Sequence, residues 1–385
     1  MMVKLKECTI GELCNTISDT YKGNDEYVVL VNTSDVLDGK ILNHSVVENK
    51  NLKGQFKKTF KKNDILYSEI RPANKRFAFI DFEDTDNYIA STKLMVLRHN
   101  DNVLPEFLFA LLKSNYIISE LQHLAETRSG TFPQITFSSE LAPMKVKLPD
   151  KQTQQKIVSV LSSIEYKIDV NENINNNLEQ QAQAIYKQMF IDNASSDWTE
   201  GTLSDIADIT MGQSPSGSSY NEDTNGIIFF QGRSEFGFRF PTVRLYTTEP
   251  KRMACANDTL MSVRAPVGDL NVAHTDCCIG RGLAAIHSKD NHQAFVLYTM
   301  FSLKKQLDVF NGEGTVFGSI NRNSLNEMPL LIPSSEKLDE FEVLVAPMDA
   351  AIRNNYDEIC RLEKLRDSLL PKLMSGELDV SELDL

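Results

Sequence analysis

A few side chains in this 385-residue sequence have the types and spacing to do chemistry. Cys277 and Cys278 lie close to His274, and thiolate and imidazole groups are common zinc ligands. Adjacent cysteines lack the two-residue spacing of a zinc knuckle, and the sequence has no second pair at that spacing. Six cysteines in so long a chain, without a regular framework, predict reduced thiols and no metal.

A glycine-rich segment, Gly312-Glu-Gly314-Thr-Val-Phe-Gly318, is similar to the phosphate-binding turn of dinucleotide-binding proteins. Its third glycine comes one position late, and no strand-to-helix context surrounds it. The sequence also lacks a P-loop, an HExxH metal motif, a GxSxG nucleophile elbow and an Asn-Pro-Pro-Tyr motif for amino methylation. We therefore expect no catalysis by this chain alone.

Composition and charge limit the class of protein. The hydrophobic content of 41% and the charged content of 24% predict a packed chain, and the length suggests two or three domains. No run of about 18 apolar residues is present, and the first ten residues lack the apolar core of a signal peptide, so we predict a cytoplasmic location. The net charge of −13 argues against nucleic-acid binding, but the last 52 residues hold 13 acidic and only 6 basic side chains, which is over half of the acidic excess.

An internal repeat organises the sequence. The segment Leu141-Ala-Pro-Met144 matches Leu325-Asn-Glu-Met328 at a shift of 184 positions, and the match continues without a gap for about 45 residues. Further upstream, Asn63-Asp-Ile-Leu66 matches Asn257-Asp-Thr-Leu260 at a shift of 194. The repeat predicts an α+β chain in which two globular units of mixed strands and helices alternate with two long helices.

The two helical segments have apolar residues at alternating spacings of four and three, which predicts a coiled-coil seam. The first segment runs from Ile157 to Met189 and should rise about 50 Å at about 1.5 Å per residue. The second runs from Phe341 to Leu373. The predicted core residues are Ile157, Leu161, Ile164, Ile168, Asn175, Leu178, Ile185 and Met189 in the first helix, and Val345, Ile352, Asn355, Ile359, Leu362, Leu369 and Leu373 in the second.

Two equivalent units in one chain are most simply related by a pseudo-twofold axis, which would pair the helices antiparallel. Asn175 would then face Asn355. A buried asparagine pair can fix the register of two helices, although the same residues could also be tolerated beside a solvated seam. Pro347 could start the second helix or kink it.

Within the globular units, β-rich runs predict strands at residues 27–32, 78–82, 94–98, 227–231 and 284–287. Amphipathic patterns predict helices at 105–125 and 292–310, and the turn-rich segment 212–219 predicts an exposed loop.

The order of these parts resembles the specificity subunit of bacterial type I restriction-modification systems, over nearly the whole chain. The resemblance rests on the openings Thr9-Ile-Gly-Glu-Leu-Cys14 and Trp198-Thr-Glu-Gly-Thr-Leu-Ser-Asp-Ile-Ala207, the segments Asn63–Leu66 and Asn257–Leu260, and the helices after Pro149 and Pro333. The family usually has Glu-Gln where the helical regions start, whereas this sequence has Gln154-Gln155 and Asp339-Glu340.

The resemblance implies two target-recognition domains, residues 1–149 and 193–333, which alternate with helical regions at 150–192 and 334–385. Each domain would read one half of a split site in double-stranded DNA, and the helices would set the unread spacer and dock two modification subunits. Those partners would bind S-adenosylmethionine and methylate adenine, and restriction subunits would use ATP and Mg for translocation and cleavage. This chain would hold no cofactor of its own.

Loop side chains that carry positive charge or amides then become candidates for DNA contact, since cations meet phosphates and amides or guanidiniums reach base edges. The segment 50–62 has six lysines interleaved with Phe56 and Phe60, and it could equally be a solvated hairpin. Arg264 and Arg281 could equally form structural ion pairs. The candidates are Lys53, Lys57, Lys58, Lys61, Lys62, Arg71, Lys75, Arg76, Arg128 and Thr131 in the first unit, and Gln231, Arg233, Arg264, Arg281, Thr315, Asn321 and Arg322 in the second.

Two other classes of function stay open at this point. The acidity of the chain favours an adaptor whose coiled coil recruits helical partners and whose globular units bind protein. A self-sufficient nuclease or methyltransferase would require turnover by this chain alone.

Overall fold

The computed structural model describes residues 5–50, 54–127, 133–312 and 318–380. It divides into two compact units, one formed by Met1–Val170 with Glu358–Leu385 and the other by Asn171–Asp357. Each of the two long helices therefore contributes one segment to each unit.

The described residues of the first unit form twelve strands and two short helices besides its segments of the long helices. They are β1 (Lys6–Thr9), β2 (Cys14–Ile17), β3 (Tyr27–Val31), β4 (Val36–Leu37), β5 (Lys40–Ile41), β6 (Val46–Glu48), β7 (Phe56–Lys58), β8 (Ile65–Ser68), β9 (Phe77–Phe79), β10 (Tyr88–Ser91), β11 (Leu94–His99), α1 (Pro105–Leu112), α2 (Asn115–Thr127) and β12 (Lys145–Leu148).

Two four-stranded sheets form the body of the first unit. One has the order β2-β11-β8-β9 and is antiparallel throughout. The other has the order β6-β3-β10-β7, in which β3 and β10 run parallel. Val31, Leu66 and Val96 belong to one buried cluster shared by the two sheets. The predicted helix at 105–125 is broken into α1 and α2 because the Oγ of Ser114 accepts the Ile117 N–H and starts a new helix.

The long helix α3 (Lys151–Tyr186) follows the first unit's last strand, and it continues into a π-helical turn at Lys187–Asp192. Asp150 caps its start, because its Oδ1 accepts the Thr153 N–H at 2.9 Å. The remaining elements are β13 (Thr199–Thr202), α4 (Leu203–Ile206), β14 (Ala207–Met211), β15 (Tyr220–Asn221), β16 (Ile227–Phe230), β17 (Leu245–Thr247), β18 (Met253–Ala254), β19 (Thr259–Ser262), β20 (Leu270–Val272), β21 (Cys277–Ile279), β22 (Leu283–Ser288), α5 (Gln293–Ser302), α6 (Lys304–Asp308), α7 (Arg322–Asn326), β23 (Pro329–Ile332) and the long helix α8 (Ser335–Ser375).

The two main sheets of the second unit repeat those of the first, with β15 as an additional edge strand. The antiparallel sheet β14-β22-β19-β20 corresponds to β2-β11-β8-β9. The sheet β15-β17-β16-β21-β18 again contains one parallel pair, β16 with β21. The pair β13 and β23 repeats the antiparallel pair β1 and β12. The predicted pattern of two mixed globular units is therefore present.

One turn shows how closely the repeat is followed in three dimensions. Asn63 and Asn257 each precede a central strand, with φ angles of 70° and 73°. Asparagine tolerates this left-handed backbone better than most residues with a side chain. The next residues, Asp64 and Asp258, are buried, and each carboxylate accepts a backbone N–H from three residues earlier at 2.8 Å. The sequence match at a shift of 194 therefore records a repeated turn with a repeated hydrogen bond.

The two long helices run antiparallel within each unit. In the second unit, Asn355 donates from Nδ2 to the Oδ1 of Asn175 at 2.9 Å, as the pseudo-twofold axis predicts. Further along α3, the rings of Tyr186 and Phe190 contact Phe341, with centroids 5.8 and 5.2 Å apart. The partner number falls as the residue number rises, which defines an antiparallel pair.

The first unit shows the same direction. Lys167 pairs with Glu358 at 3.7 Å, while Ile157 lies in one hydrophobic cluster with Leu370 and Leu373. Every predicted core position of the seam is buried or half-buried. Pro347 does not interrupt α8. Proline has no N–H, so the carbonyl of Val343, four residues earlier, loses its helical hydrogen bond. Both residues lie on the exposed face of the helix, where water can bond to that carbonyl.

Candidate nucleic-acid interface

Four of the predicted contact residues of the second unit converge on one open pocket. Gln231, Arg233, Arg264 and Arg281 line a depression of about 240 Å³. Gln231 follows β16, Arg264 follows β19, and Arg281 lies between β21 and β22. Side chains separated by up to 50 positions in sequence are thus brought together at the ends of neighbouring strands.

Glycines allow the loops around this pocket to approach each other backbone to backbone. A Cβ atom on Gly212 would lie 2.1 Å from the carbonyl oxygen of Gly280, and one on Gly280 would lie 2.7 Å from that of Gln231. Both distances are far inside van der Waals contact. The Gly280 N–H donates to the Phe230 carbonyl at 2.8 Å. Any residue larger than glycine at position 212 or 280 would push these loops apart, so the shape of the pocket depends on both glycines.

The charge of the pocket is dominated by two unpaired arginines. Arg264 and Arg281 are exposed, and neither side chain forms a hydrogen bond or ion pair with any part of the chain that the structure describes. Arg233 differs, because its Nε pairs with the Asp269 carboxylate at 2.6 Å, although half of the side chain stays exposed. Exposed guanidinium groups without internal partners suit contact with phosphates or with guanine edges.

Ser214 was missed as a site residue at the sequence level. It lies in the turn-rich segment after β14, lines the pocket, and its Oγ accepts the Arg281 N–H at 3.2 Å. The only sequence signal for it was its position in a segment predicted to be an exposed loop. Hydroxyl groups in such loops contact phosphates and base edges.

Asn321 and Arg322 follow a residue that is bonded next to this pocket. The N–H of Ile320 donates at 3.1 Å to the carbonyl of Val263, which precedes Arg264 in the chain. The Oδ1 of Asn321 accepts the Ser324 N–H at 2.9 Å and caps α7. The amide of Asn321 therefore has a structural role as a helix cap, and its contact with a base edge stays a prediction. Arg322, the first residue of α7, is exposed.

The lysine-rich segment of the first unit is less available than its composition predicts. The ammonium of Lys58 donates to the carbonyls of Thr92 and Leu94 at 3.0 and 2.7 Å, and burial lowers the pKa of this lysine. Lys62 pairs with Glu83 at 2.7 Å.

The aromatic residues of that segment also differ from the prediction. Phe60 is 4% exposed and packs in the core, so it cannot stack on a base, and Phe56 is half-buried. Lys57 and Lys61 are exposed, and their side chains form no bond with the described residues. Among the described lysines of this segment, Lys57 and Lys61 are the ones best placed for phosphate contact.

Arg71, Lys75 and Arg76 surround a tight turn. Arg71 and Lys75 have left-handed φ angles of 46° and 52°. Arg76 donates from Nη1 to the carbonyls of Ser34 and Val36 at 3.0 and 3.2 Å, so it stabilises this loop rather than projecting from it. Arg71 is exposed and Lys75 is half-buried. Four further candidates, Lys53, Arg128, Thr131 and Thr315, lie outside the described residues.

The cysteine pair belongs to the core. Cys277 and Cys278 lie in β21 and are buried, and burial raises the pKa of the Cys277 thiol to about 12. The imidazole of His274 contacts the Asp357 carboxylate at 2.8 Å instead. The cysteines are not paired in disulfides, and no group of three metal-ligating side chains occurs within residues 5–50, 54–127, 133–312 and 318–380.

Comparison with known proteins identifies the family. A family model described as the type I restriction modification DNA specificity domain matches residues 2–180 and 195–347, which is most of the chain. The chain belongs to this DNA specificity family. Two matched regions in one specificity chain agree with the duplicated sheets.

Relatives of this specificity chain are similar to it over most of its length. It is 31% identical to the type I restriction enzyme HindI specificity subunit of Haemophilus influenzae, across 97% of this chain and 99% of the relative. It is 30% identical to the putative type I restriction enzyme MjaX specificity subunit of Methanocaldococcus jannaschii, across 82% of this chain and 79% of that one. Among solved structures, the S subunit of a type I restriction-modification system from M. genitalium matches 98% of this chain and 97% of its own, with a TM-score of 0.56 at 15% identity. This last match supports the fold alone.

Among the residues that the structure describes, no helix combines the length and apolarity needed for a membrane span.

Proposed function

We propose that this chain is the DNA-addressing subunit of a type I restriction-modification complex, in which each globular unit reads one half of a split double-stranded target. The observation that carries the proposal is the duplicated fold, with a cluster of unpaired arginines at the strand ends of the second unit. Family membership supports the same conclusion. A chain with two readers of the same topology but different loop residues would read two different half-sites.

The long helices supply the spacer in this proposal. Helix α3 has 36 residues, which gives a length of about 54 Å at about 1.5 Å per residue. Two readers on one face of a duplex need a separation of about one helical turn, roughly 35 Å, or a multiple of it. A rod of this length is sufficient to hold two readers that far apart, and the bases between them would remain unread.

The chemistry would belong to partner subunits. Two modification subunits would bind S-adenosylmethionine and methylate adenine in the target, and restriction subunits would use ATP and Mg to translocate and cleave DNA. This chain would bind no cofactor, would not catalyse a reaction by itself, and would act with its partners in the cytoplasm.

Methylome sequencing of a host with and without the gene tests the proposal. We expect one motif with two specified parts and an unspecified gap, methylated on adenine only when the gene and its modification partner are both present. A strain that carries the gene but lacks the modification partner is the matched control and should show no such motif. Methylation of the same motifs in the presence and absence of the gene would contradict the proposal, as would a single uninterrupted motif.

A further inference from the structure

A buried arginine in the second unit connects the globular part to both long helices. Arg239 is only 4% exposed. Its Nη2 lies 3.1 Å from the Glu179 carboxylate on α3, and its Nη1 lies 3.1 Å from the Asp349 carboxylate on α8. Nη2 also donates to the Tyr298 hydroxyl at 3.1 Å, and that hydroxyl donates to Asp349 at 2.8 Å. One guanidinium thus joins two helices to the body of the unit.

The backbone of Arg239 is fixed as firmly as its side chain. Its carbonyl accepts the Val272 N–H at 2.8 Å, which attaches it to the edge strand β20. The next residue, Phe240, is also buried, and the guanidinium of Arg353 on α8 lies 5.0 Å from its ring centre. Arg353 donates in turn to the His274 carbonyl at 2.8 Å. The charged groups therefore connect a strand edge to a helix face directly.

Apolar packing joins the globular part to α8 on either side of Arg239, since Phe240 and Leu297 share one buried cluster with Phe341 and Ile352, but this packing is interrupted beside the arginine. Beside Arg239 lies an open cavity of about 390 Å³, walled in part by Phe240, Leu297 and Ala346. Surfaces separated by such a space lose the close contacts that make protein interiors rigid. At this gap the two parts are joined by the polar contacts of Arg239, which add a geometric constraint to the apolar packing around it.

The ionic contacts are also a poor source of stability. Burial raises the pKa values of Glu179 and Asp349 although a guanidinium is adjacent to both, so desolvation outweighs attraction for each carboxylate. Buried ion pairs are often no more stabilising than apolar residues of the same shape, whereas they do restrict geometry. A geometric role explains better why charges occupy this place.

The first unit uses the equivalent helix position in a different way. Glu165 on α3 lies 184 positions before Asp349, and it pairs with Lys113 at the end of α1. Gly39 occupies the backbone position of Arg239, because its carbonyl accepts the Phe79 N–H of the corresponding edge strand. Each half therefore binds a carboxylate at the same helix position to a cation of its globular part. Among the residues that the structure describes, one arginine that joins both helices to the globular part is found in the second half.

We propose that Arg239 is a positioning residue that holds the second recognition domain at one angle on α3 and α8, and so limits the spacer lengths that the protein accepts. This inference rests on the proposed function. One base pair more or less in the spacer displaces a half-site by about 3.4 Å and rotates it by about 35°. A domain held at one angle cannot follow that change, whereas a domain released from Glu179 and Asp349 can.

The experiment measures adenine methylation by the complex of this chain with its modification subunits, using labelled S-adenosylmethionine. The substrates are duplexes with the natural spacer and with spacers one base pair shorter and longer. The principal variant combines Arg239→Met, Glu179→Gln and Asp349→Asn, which removes all three charges without leaving an unpaired one. Arg239→Lys is the second variant, because it keeps the buried charge but cannot bind both carboxylates with a planar fork. Arg252→Met, at an exposed arginine of the same unit, is the control.

We expect the neutral variant to methylate the natural target within about threefold of the parent, and its preference for the natural spacer to fall by about tenfold, the size of one good base contact. Arg239→Lys should lose part of that preference, and Arg252→Met none. The preferred bases in each half-site should not change. A merely structural defect would instead lower the methylation of substrates with all three spacers by the same factor.

An unchanged spacer preference in a folded neutral variant would overturn the positioning role of Arg239. If the neutral variant does not fold, an unchanged spacer preference in Arg239→Lys would overturn that role. A parent complex that methylates no specific target would instead contradict the proposed function, so the two failures are distinguishable.

Discussion

Replacing Arg264 and Arg281 together by alanine tests whether the arginine pocket of the second unit contacts DNA. Both side chains are exposed and have no partner among the described residues. Exposed substitutions of this kind usually change stability by less than about 0.5 kcal/mol. A loss of DNA binding would therefore report on contact with DNA and not on unfolding.

The expected size of the effect follows from counterion release. Each phosphate that a cation neutralises contributes about −0.9 to the slope of log K against log salt concentration. If both guanidiniums contact phosphates, the slope of the double variant is less steep than that of the parent by about 1.8. Between about 50 and 200 mM salt, a fourfold rise, the parent should then lose about twelvefold more affinity than the variant.

The assay is equilibrium binding of a labelled duplex to the assembled complex at several salt concentrations. One duplex carries the target, and another of equal length does not. Lys289→Ala is the control, because Arg281 precedes β22 and Lys289 follows it, and the strand between them is about 20 Å long. We expect a smaller slope for the double variant on both duplexes and an unchanged slope for the control.

Two results would refute this reasoning. An unchanged slope together with unchanged base preference in the second half-site would show that the pocket does not touch DNA. A loss of slope of about 0.9 in Lys289→Ala, half of that expected for the double variant, would show that net charge and not the pocket is responsible. An unchanged slope with relaxed preference at the second half-site would place the arginines on base edges instead of phosphates, at a cost of about 1 to 3 kcal/mol for each lost bidentate contact.

Three other predictions concern the first unit and the helices. Replacing Lys57 and Lys61 by alanine should reduce the slope of log K against log salt concentration by up to about 1.8, which DNA-binding measurements would show. Lys58→Ala should instead lower the free energy of unfolding, measured by urea denaturation, because two backbone carbonyls lose their hydrogen-bond donor. Asn355→Ala should lower the free energy of unfolding by about 1 to 3 kcal/mol, because the amide oxygen of Asn175 stays buried without its donor. A variant with leucine at both positions should unfold at the same urea concentration as the parent or at a higher one. An Asn355→Ala variant as stable as the parent would contradict this reasoning. Inserting seven residues after Asn175 and seven opposite them beside Asn355 should lengthen the spacer of the methylated target by about three base pairs, because seven helical residues rise about 10.5 Å. A change in the preferred bases of either half-site would contradict the role of the helices as spacers.

The repeat and the long helices could be predicted from the sequence because burial imposes a period on side chains. Leu141 and Leu325, matched at a shift of 184, are both completely buried. The seam at spacings of four and three required only that two helices share an apolar stripe. The contact of Asn175 with Asn355 followed from symmetry alone, and it is present.

The contact residues could be predicted less well, since a side chain's type does not reveal what lies beside it after folding. Lys58 and Arg76 were chosen for their charge, but backbone carbonyls from strands and turns distant in sequence take up their donors. Asn321 was chosen for its amide, which caps a helix. Conversely, the convergence of Arg264 and Arg281 depends on sheet order, which a single sequence does not specify.

The two units differ where a reader must differ, at the ends of the same strands. Arg264 forms a bridge with Ser319, and the equivalent bridge in the first unit joins Ile70 to Gln134. An isoleucine offers no hydrogen bond or charge to a phosphate or base edge, so the first unit must use other side chains for its contacts. The buried aspartates of the repeated turn, by contrast, form the same bond in both units. Because the fold depends on those buried groups and not on the bridge residues, the two halves can share one scaffold and still recognise half-sites of different sequence.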